Sequence, residues 1–349
     1  MTLYIGIDFH PHSQTIAWRD ENTEKALTIR IDHDPKKMKE FLEALPEGAI
    51  IGIEATSRAV WFEKLVSETG HILLVGNSVL IKKRATSRHH SDARDAVLIL
   101  ELLERDEFPV IWRRPDESNC VLDIIGLRHC LVKQRTQSYN RLQSMAHSIG
   151  MRKGRVRTAT FQALLKAAEV NETDGMRRDQ LFLAVEQLNR QIGELSDWLK
   201  KKAKESPAAQ LLETQKGVGY LTALVTAHTL GDVKRFKRVG KEVASYAGLD
   251  PCERSSGARV RFGSITKAGS SLLRYHLGQA VSTAARYDPK LKTFYGRLCK
   301  KKRKSVAKTA ASRKLLIKLA IMSRDNITAH EFDRRGSTVG NARDGKSLK

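Results

Sequence analysis

The chain has 349 residues, and its 62 Lys and Arg against 39 Asp and Glu give a formal net charge of +23. This excess favours a polyanionic partner, most commonly nucleic acid, and its spread along the chain argues against a single basic helix on an anionic membrane. The sequence has no run of about 18 apolar residues and no basic-then-apolar N-terminal segment, so we expect neither a membrane span nor a secretory signal.

Composition also bounds the size and the redox setting of the fold. With 41% hydrophobic residues the chain can bury a core, and its length suits two domains or one domain with a large appendage. The four cysteines lack the spacing of metal ligands, and we expect them to be reduced thiols in a cytosolic protein. They are Cys120, Cys130, Cys252 and Cys299.

An acid ends the first predicted strand. Leu3 to Ile7 is an apolar run of strand length, and Asp8 follows it. A buried carboxylate is costly unless a positive group meets it, and a divalent cation is the usual partner of carboxylates at strand ends. Since one Asp supplies one ligand, such a site needs further acids.

Strand-like and helix-like segments alternate from there to about residue 110. The predicted strands are Gln14 to Trp18, Ala26 to Ile31, Ala49 to Ile53 and Ile72 to Val75, and the predicted helices are Lys36 to Leu45 and Trp61 to Thr69. Glu54 closes the third of these strands. The alternation predicts an α/β domain with a mixed sheet over residues 1–115.

A basic segment comes next and precedes a second pair of acids. We interpret it as a loop that faces a polyanion, with a solvated loop as the alternative. Its predicted nucleic-acid contacts are Lys82, Lys83, Arg84 and Arg88. Asp92 and Asp95 then open a helical segment and, three residues apart, point to one face. A lone strand-end Asp is more often a cap, but four acids in order favour one hard-cation site.

The middle of the chain, residues 116–207, is predicted to be helical. Spacings of four and three residues form a heptad seam in its second half. The seam residues are Leu181, Val185, Leu188, Ile192, Leu195 and Leu199. An antiparallel pairing within the chain and a dimer contact fit the seam equally well. We favour oligomerisation, because enzymes that join nucleic-acid ends need more than one active site.

Residues 208–330 are predicted to form a mainly α-helical domain. The turn Gly217-Val218-Gly219 before a helix from Leu221 to Leu230 resembles a helix-hairpin-helix element, whose backbone amides meet a phosphate. A tight turn without a ligand is the simpler interpretation of one such glycine pair.

A glycine-rich basic segment follows Asp250-Pro251. Glycines allow close backbone approach, and arginines and lysines supply donors that match phosphate. The predicted nucleic-acid contacts are Arg259, Arg261, Lys267 and Arg274. Ser255 and Ser256 lie in this segment. Composition alone favours a phosphate hydrogen bond over a nucleophilic role for these serines.

The C-terminal part combines charge with a last apolar helix, Leu315 to Met322. A basic run precedes that helix, and we favour nucleic-acid contact over a solvated helix face for it. The run is Lys300, Lys301, Lys302, Arg303 and Lys304. Residues 331–349 are polar, and we expect a disordered tail.

Four motifs in order resemble one protein family. They are Gly6-Ile7-Asp8, Ile53-Glu54-Ala55-Thr56, the pair Asp92/Asp95 with Ala96, and the run from Gly248 to Arg274. Together they resemble insertion-sequence transposases with an RNase H/RuvC-like N-terminal domain and a C-terminal catalytic serine, the bridge-RNA-guided recombinases. The resemblance spans roughly residues 3–285.

The resemblance implies a role for each matching residue. Asp8, Glu54, Asp92 and Asp95 become metal-binding acids for Mg²⁺ or Mn²⁺, and Ser256 becomes the nucleophile, with Ser255 as its rival. It also implies donor DNA, target DNA and a structured guide RNA as partners, no membrane, and a homo-oligomer, either a dimer or a tetramer. The implied location is the cytoplasm of a prokaryotic cell, at the nucleoid.

Two other functions fit the same residues. A metal-dependent nuclease or junction resolvase would keep the four acids but use water as its nucleophile. A nucleic-acid-binding protein without catalysis would use the acids structurally, and changing Asp8 would then leave binding intact.

Overall fold

β1 (Tyr4–Phe9) lies in the middle of a five-stranded sheet in the computed structural model. The structure describes residues 2–10, 12–19, 25–55, 60–85, 91–151, 153–253 and 261–335. The chain divides into two units between Arg113 and Arg114. Among the described helices, none combines the length and the apolar composition that crossing a bilayer requires.

The first unit is an α/β domain with a mixed sheet, as predicted. Its elements in chain order are β1, β2 (Ser13–Arg19), β3 (Ala26–Asp32), α1 (Pro35–Glu43), β4 (Ile50–Glu54), α2 (Val60–Glu68), β5 (Ile72–Gly76), α3 (Ser78–Arg84) and α4 (Asp92–Glu104). The strand order is β3-β2-β1-β4-β5. The first three strands are antiparallel neighbours, whereas β4 runs parallel to β1 and β5 runs parallel to β4.

The two faces of β1 bury different partners because successive residues of a strand point to opposite sides. Ile5 and Ile7 join the apolar core that also contains Met38 of α1 and Phe62 of α2. Gly6 and Asp8 lie on the other face, where α4 packs against β1.

Gly6 allows α4 to contact the strand backbone directly. A Cβ on Gly6 would lie 2.5 Å from the Leu100 nitrogen and closer still to the Ala96 carbonyl oxygen. The neighbours of Gly6 across the sheet are also small, because Gly6 pairs with Ala17 on β2 and with Gly52 on β4. The sheet therefore offers α4 a shallow surface, and the first turn of the helix follows β1 towards Asp8.

The second unit is mainly α-helical, as predicted. Its elements are α5 (Asp116–Ser148), α6 (Ala159–Ala167), α7 (Glu172–Glu205), α8 (Pro207–Glu213), α9 (Tyr220–Leu230), a 3₁₀ turn (Val233–Arg235), α10 (Val239–Tyr246), β6 (Pro251–Glu253), β7 (Phe262–Ile265), α11 (Ser271–Tyr287), α12 (Pro289–Lys301), α13 (Lys304–Asp325) and α14 (Ala329–Arg335). One apolar core includes residues of α5, α7, α9, α11 and α13.

The heptad seam of α7 packs within the chain. Arg135 of α5 donates to Asn189 at 2.8 Å, and Arg128 donates to Ser196 at 2.7 Å, so residue numbers rise along α5 as they fall along α7. The two helices are therefore antiparallel, and Val185 and Leu199 of the seam are buried. The seam is therefore covered by antiparallel pairing within the chain, the first of the two alternatives. Oligomerisation stays a prediction that this seam does not support.

Two parts of the second unit differ from the sequence predictions. The glycine-rich segment after Asp250 carries a two-stranded antiparallel sheet, β6 with β7, on each side of residues 254–260. Residues 331–335 of the predicted tail are helical, because α14 extends to Arg335. Residues 336–349 lie outside the described part of the chain.

We predict that Gly6→Ala destabilises the first unit by more than about 2 kcal/mol, because the added methyl group meets backbone that cannot rotate away. The matched control is Gly126→Ala in α5, where a Cβ meets nothing within 4 Å. Thermal unfolding followed by circular dichroism should show a lower Tm for the first variant only. An unchanged Tm for Gly6→Ala would contradict the close packing of α4.

A buried histidine makes the stability of the second unit depend on pH. Burial is the main reason that the pKa of His276 falls to about 4, and His129 and Arg128 lower it further. The unfolded chain, with a pKa near 6.5, therefore binds more protons between these values. Stability should be complete above pH 6.5 and fall as the pH drops towards 4.

We predict that His276→Leu reduces the loss of unfolding free energy between pH 6.5 and pH 4 by about 2–4 kcal/mol. Urea unfolding at several pH values between 4 and 7 measures the effect. The wild-type protein should lose stability across this window, whereas the variant should lose less. Parallel curves for the two proteins would show that His276 does not carry the pH dependence.

Candidate metal centre

Asp8 is a buried carboxylate at the carboxyl end of β1. Only 7% of the residue is exposed, and His10 Nε2 lies 3.0 Å from its Oδ2. Burial raises the pKa of Asp8 above its usual range; His10 acts in the opposite direction, and Asp95 and Asp92 raise the pKa further. The site therefore places negative charge where it is poorly solvated and lacks a full countercharge.

The first turn of α4 brings two more acids to Asp8. Ser91 caps the helix by accepting from the Arg94 nitrogen, which fixes where the helix begins. Asp92 Oδ1 lies 3.9 Å from His10 Nε2. Asp8, His10 and Asp92 each present one ligand atom within 4.8 Å of the others. The helix N-terminus also favours the two carboxylates through the helix dipole.

Glu54 ends the strand next to β1. The parallel register pairs Ile7 with Ile53, so Asp8 and Glu54 are the next residues of neighbouring strands and end at the same sheet edge. Lys82 Nζ lies 3.4 Å from Glu54 Oε1. Glu54 therefore has a positively charged side chain, Lys82, as its neighbour.

The basic segment before Asp92 is partly helical, which corrects the prediction of a loop. Lys82, Lys83 and Arg84 form the last turn of α3, whose first turn is capped by Asn77. All three side chains are exposed. Arg88 lies outside the described residues. The pairing with Glu54 gives Lys82 a role at the acid site in addition to the predicted phosphate contact.

His10 is a site residue that the sequence analysis missed. Its backbone carbonyl accepts from Gln14 Nε2 at 3.3 Å, and the same amide lies 2.7 Å from His33 Nδ1. These contacts hold the turn after β1, so that the imidazole points back towards Asp8. The available signal was the Asp-x-His spacing at a strand end, which places both side chains on one side.

The basic glycine-rich segment of the second unit is fixed at its base by Gly248 and Gly269. A Cβ on Gly248, whose φ is +66°, would lie 2.7 Å from the Ala268 nitrogen. A Cβ on Gly269 would collide with the Tyr246 carbonyl oxygen. Both glycines therefore serve backbone-to-backbone packing beside the β6–β7 sheet.

Arg274 also supports this segment. Its Nη1 donates to the carbonyl oxygens of Ala247 at 2.9 Å and Gly269 at 2.6 Å. Arg261 and Lys267 are exposed, and Lys267 adopts a φ of 57°. The predicted residues Ser255, Ser256 and Arg259 lie outside the described part of the chain. The structure thus gives Arg274 a structural contact and leaves the serine assignment a prediction.

The predicted helix-hairpin-helix turn has a packing explanation. Gly217 has a φ of +93°, and a Cβ there would lie 2.6 Å from the Ala284 Cα of α11. Gly219 precedes α9 as its N-cap, with open space around it. Gly217 is therefore required for helix packing, and phosphate binding at this turn stays a prediction.

Comparison with known proteins gives matches in both units. A family model described as "Transposase" and named for the DEDD domain of IS110 transposases matches residues 5–151. A second model, "Transposase IS116/IS110/IS902 family", matches residues 209–296.

Individual relatives extend over most of the chain. A Pseudomonas aeruginosa protein named "Probable family 20 transposase" is 25% identical over 83% of this chain and 88% of its own length. The transposase for insertion sequence element IS1328 of Yersinia enterocolitica is 25% identical over 84% of this chain and 86% of its own. The transposase for insertion sequence element IS1111A of Coxiella burnetii is 31% identical over 53% of this chain and 52% of its own length.

The mixed sheet, its strand-end acids and the acid-bearing helix α4 are consistent with a RuvC-like domain of the DEDD transposase class. The matches in both units are to transposases of the IS110/IS116 family, and the individual relatives are named transposases. These similarities support a DNA transposase activity for the chain.

A DEDD transposase domain suggests a divalent metal, and the residues present fit one. A buried Asp8 whose pKa is raised by desolvation and by two acidic neighbours is a carboxylate that lacks positive charge. Carboxylate oxygens are hard ligands, and His10 adds a nitrogen at the same place. A divalent cation would relieve the repulsion that the fold imposes on these acids.

We predict that Asp8→Asn abolishes DNA strand cleavage but leaves metal-free thermal stability unchanged or higher, because it removes a buried charge beside two acids. Added Mn²⁺ should raise the Tm of the wild-type protein by several degrees, since binding to the folded state stabilises it. The variant should show no such rise.

The matched control is Asp106→Asn, an exposed acid in the turn that follows the C-terminal end of α4. It should respond to Mn²⁺ as the wild-type protein does. An equal Mn²⁺-dependent rise in Tm for Asp8→Asn would place the metal elsewhere.

Proposed function

We propose that this transposase cuts and rejoins DNA through a serine nucleophile, Ser256 with Ser255 as its rival, assisted by Mg²⁺ or Mn²⁺ at four acids. The acids are Asp8, Glu54, Asp92 and Asp95, which read D, E, D, D in chain order. The observation that carries the proposal is the meeting of a buried strand-end carboxylate with the first turn of α4.

The acids have distinct positions in this proposal. Asp8 provides a fixed ligand, because burial and the His10 contact restrict its side chain. Glu54 approaches from the neighbouring strand, and Lys82 beside it balances charge when a DNA phosphate enters. When bound, the cation supplies Lewis-acid stabilisation of charge on the phosphate oxygens.

The serine step conserves the energy of the phosphodiester bond. The serine hydroxyl gives up its proton as its oxygen bonds to phosphorus, the bond from phosphorus to a deoxyribose oxygen breaks, and that oxygen takes up a proton and leaves as a hydroxyl. Rejoining reverses the exchange with a new DNA hydroxyl, so no external energy source is required. Both serines lie within the range matched by the IS116/IS110/IS902 model.

Basic residues support the handling of DNA and of a structured guide RNA. In this proposal base pairing with the RNA selects donor and target DNA, while the protein holds the backbones, as in other RNA-guided enzymes. The net charge of +23 suits a protein that binds two polyanions. Arg261, Lys267 and the run from Lys300 to Lys304 are exposed for such contacts.

Assembly and location complete the proposal. Joining two DNA ends requires two reacting centres, so we infer a dimer or tetramer that works on the nucleoid in the cytoplasm. Because the seam of α7 is used within the chain, the contact between copies must lie on another surface.

A water-dependent nuclease is the second candidate, and His10 is the observation that favours it. Asp8 contacts its Nε2, and half of its side chain is exposed, so the other ring nitrogen, Nδ1, is the atom that would accept a proton from an attacking water. In that mechanism Ser256 has no chemical role.

A covalent-adduct assay separates the two candidates. With labelled DNA, donor ends and Mg²⁺, the wild-type protein should form a denaturant-stable protein–DNA adduct. Ser256→Ala should lose the adduct and strand joining by at least about 10³-fold, because no other oxygen replaces the nucleophile. Ser255→Ala should retain both. The reverse pattern would assign the nucleophile to Ser255.

The double variant Ser255→Ala/Ser256→Ala decides whether serine chemistry occurs. Cleavage that persists in this variant without an adduct would support the nuclease with water as its nucleophile. Asp8→Asn serves as the control that should lose both adduct and cleavage in either mechanism.

A further inference from the structure

A shallow surface cavity of about 430 Å³, open to solvent, lies between α12 and α13 in the second unit. Its lining residues are Pro289, Lys290, Thr293, Phe294, Arg297 and Lys314. It is open to solvent over most of its extent, so it suits part of an extended ligand and not an enclosed small molecule. None of these residues belongs to the candidate metal centre or to the predicted nucleic-acid contacts.

The cavity lies in the most basic part of the chain. Residues 289–324 include 13 Lys and Arg and no Asp or Glu. The fold neutralises some of this charge, because the buried Lys318 contacts Asp288 at 3.0 Å and Asp333 at 2.7 Å. Arg313 likewise contacts Asp250 at 3.0 Å.

The cations that line the cavity differ from Lys318 and Arg313 in having no acidic partner in the part of the chain that the structure describes. Within the described residues, no ion pair joins Lys290, Arg297 or Lys314 to an acid. Lys314 is one helical turn before the neutralised Lys318, so charge compensation stops at the edge of the cavity. Three positive groups thus converge without acidic partners, and the cavity favours an anionic ligand.

An aromatic ring lies among these cations. Lys314 Nζ is 4.7 Å from the centre of the Phe294 ring, and Arg297 Cζ is 5.9 Å from it. The ring is half-buried, which holds it in place while leaving part of it accessible. An aromatic surface flanked by cations is the combination that binds single-stranded nucleic acid, because bases stack on rings and phosphates meet the charges.

We propose that this cavity binds an unpaired nucleotide of a DNA strand. The base stacks against Phe294, and the adjoining phosphates contact Lys290, Arg297 and Lys314. DNA is the partner that a transposase acts on, and strand exchange exposes unpaired nucleotides. Lys300 and Lys301 lie farther along α12 and extend the positive surface beyond the cavity.

The inference rests on the action of this family on DNA and is independent of the serine and of the metal. Binding is therefore measured with EDTA, using full-length protein and fluorescence anisotropy. The probes are a labelled single strand of mixed sequence and the same strand paired with its complement. Failure of this test leaves the adduct assay unaffected, and the two proposals can fail separately.

Phe294→Leu should weaken single-strand binding about tenfold and duplex binding less than about twofold, because a leucine fills space but cannot stack. Phe294→Tyr, which keeps an aromatic ring at this position, should bind the single strand as the wild-type protein does. The matched control is Trp198→Leu, an exposed aromatic residue on α7, which should bind both probes normally. Thermal unfolding of each variant confirms that the fold is retained.

The charged residues have their own readout. Arg297→Gln and Lys314→Gln should each lower the slope of log Kd against log salt by about 0.7 for the single strand. Lys201→Gln on α7 is the charge-matched control and should leave the slope unchanged.

Three results would overturn the inference. The first is that Phe294→Leu weakens binding of the single strand and of the duplex equally, and the second is that it weakens binding of neither. The third is that Phe294→Leu weakens binding of an RNA strand but not of a DNA strand. The last result would assign the cavity to RNA.

Discussion

The position of the candidate metal centre depends on backbone contact between Gly6 and α4. Because Gly6 has no side chain, the helix lies directly on β1 and its first turn reaches the strand end. The same face of the strand carries Asp8 two residues later, and Asp92 and Asp95 open the helix. The close packing and the acid cluster are therefore consequences of one local geometry.

That geometry works against stability at Asp8. A buried carboxylate next to two acids is destabilised in its charged form, and His10 offsets only part of this cost. Sites of this kind are common where a protein keeps a strained or charged arrangement for function. A divalent cation is the partner whose charge and ligand preference fit the arrangement.

The second unit places its charges in another pattern. The fold buries Lys318 with two acids but gives the cations around Phe294 no acidic partner among the described residues. The positive charge that is paired with acids inside the fold is therefore separate from the positive charge that is available to a polyanion. Both units thus carry an unbalanced charge of one sign at a defined place, acidic in the first and basic in the second.

Sequence patterns predicted much of the first unit because its strands and helices have clear periods of two and 3.6 residues. All five strands and the helix that begins at Asp92 occur close to their predicted positions. The short helix α3 was missed because its three basic residues resemble a solvated loop. Helix ends and short helices depend on caps such as Asn77, which hydrophobic periodicity does not reveal.

Long-range contacts explain the other differences. The heptad seam identified an apolar stripe on α7 but could not show that α5 covers it, since the partner lies about fifty residues earlier. His10 was missed because only the fold of the β1–β2 turn directs its ring towards Asp8. The cavity at Phe294 likewise requires two helices to be brought together before its cations converge.

The most direct test of the metal centre is anomalous diffraction from crystals grown with Mn²⁺. The account predicts an anomalous peak at the manganese edge within coordination distance of carboxylate oxygens from Asp8 and Asp92. A peak that lies elsewhere, or a manganese ion whose ligands exclude Asp8, would contradict it.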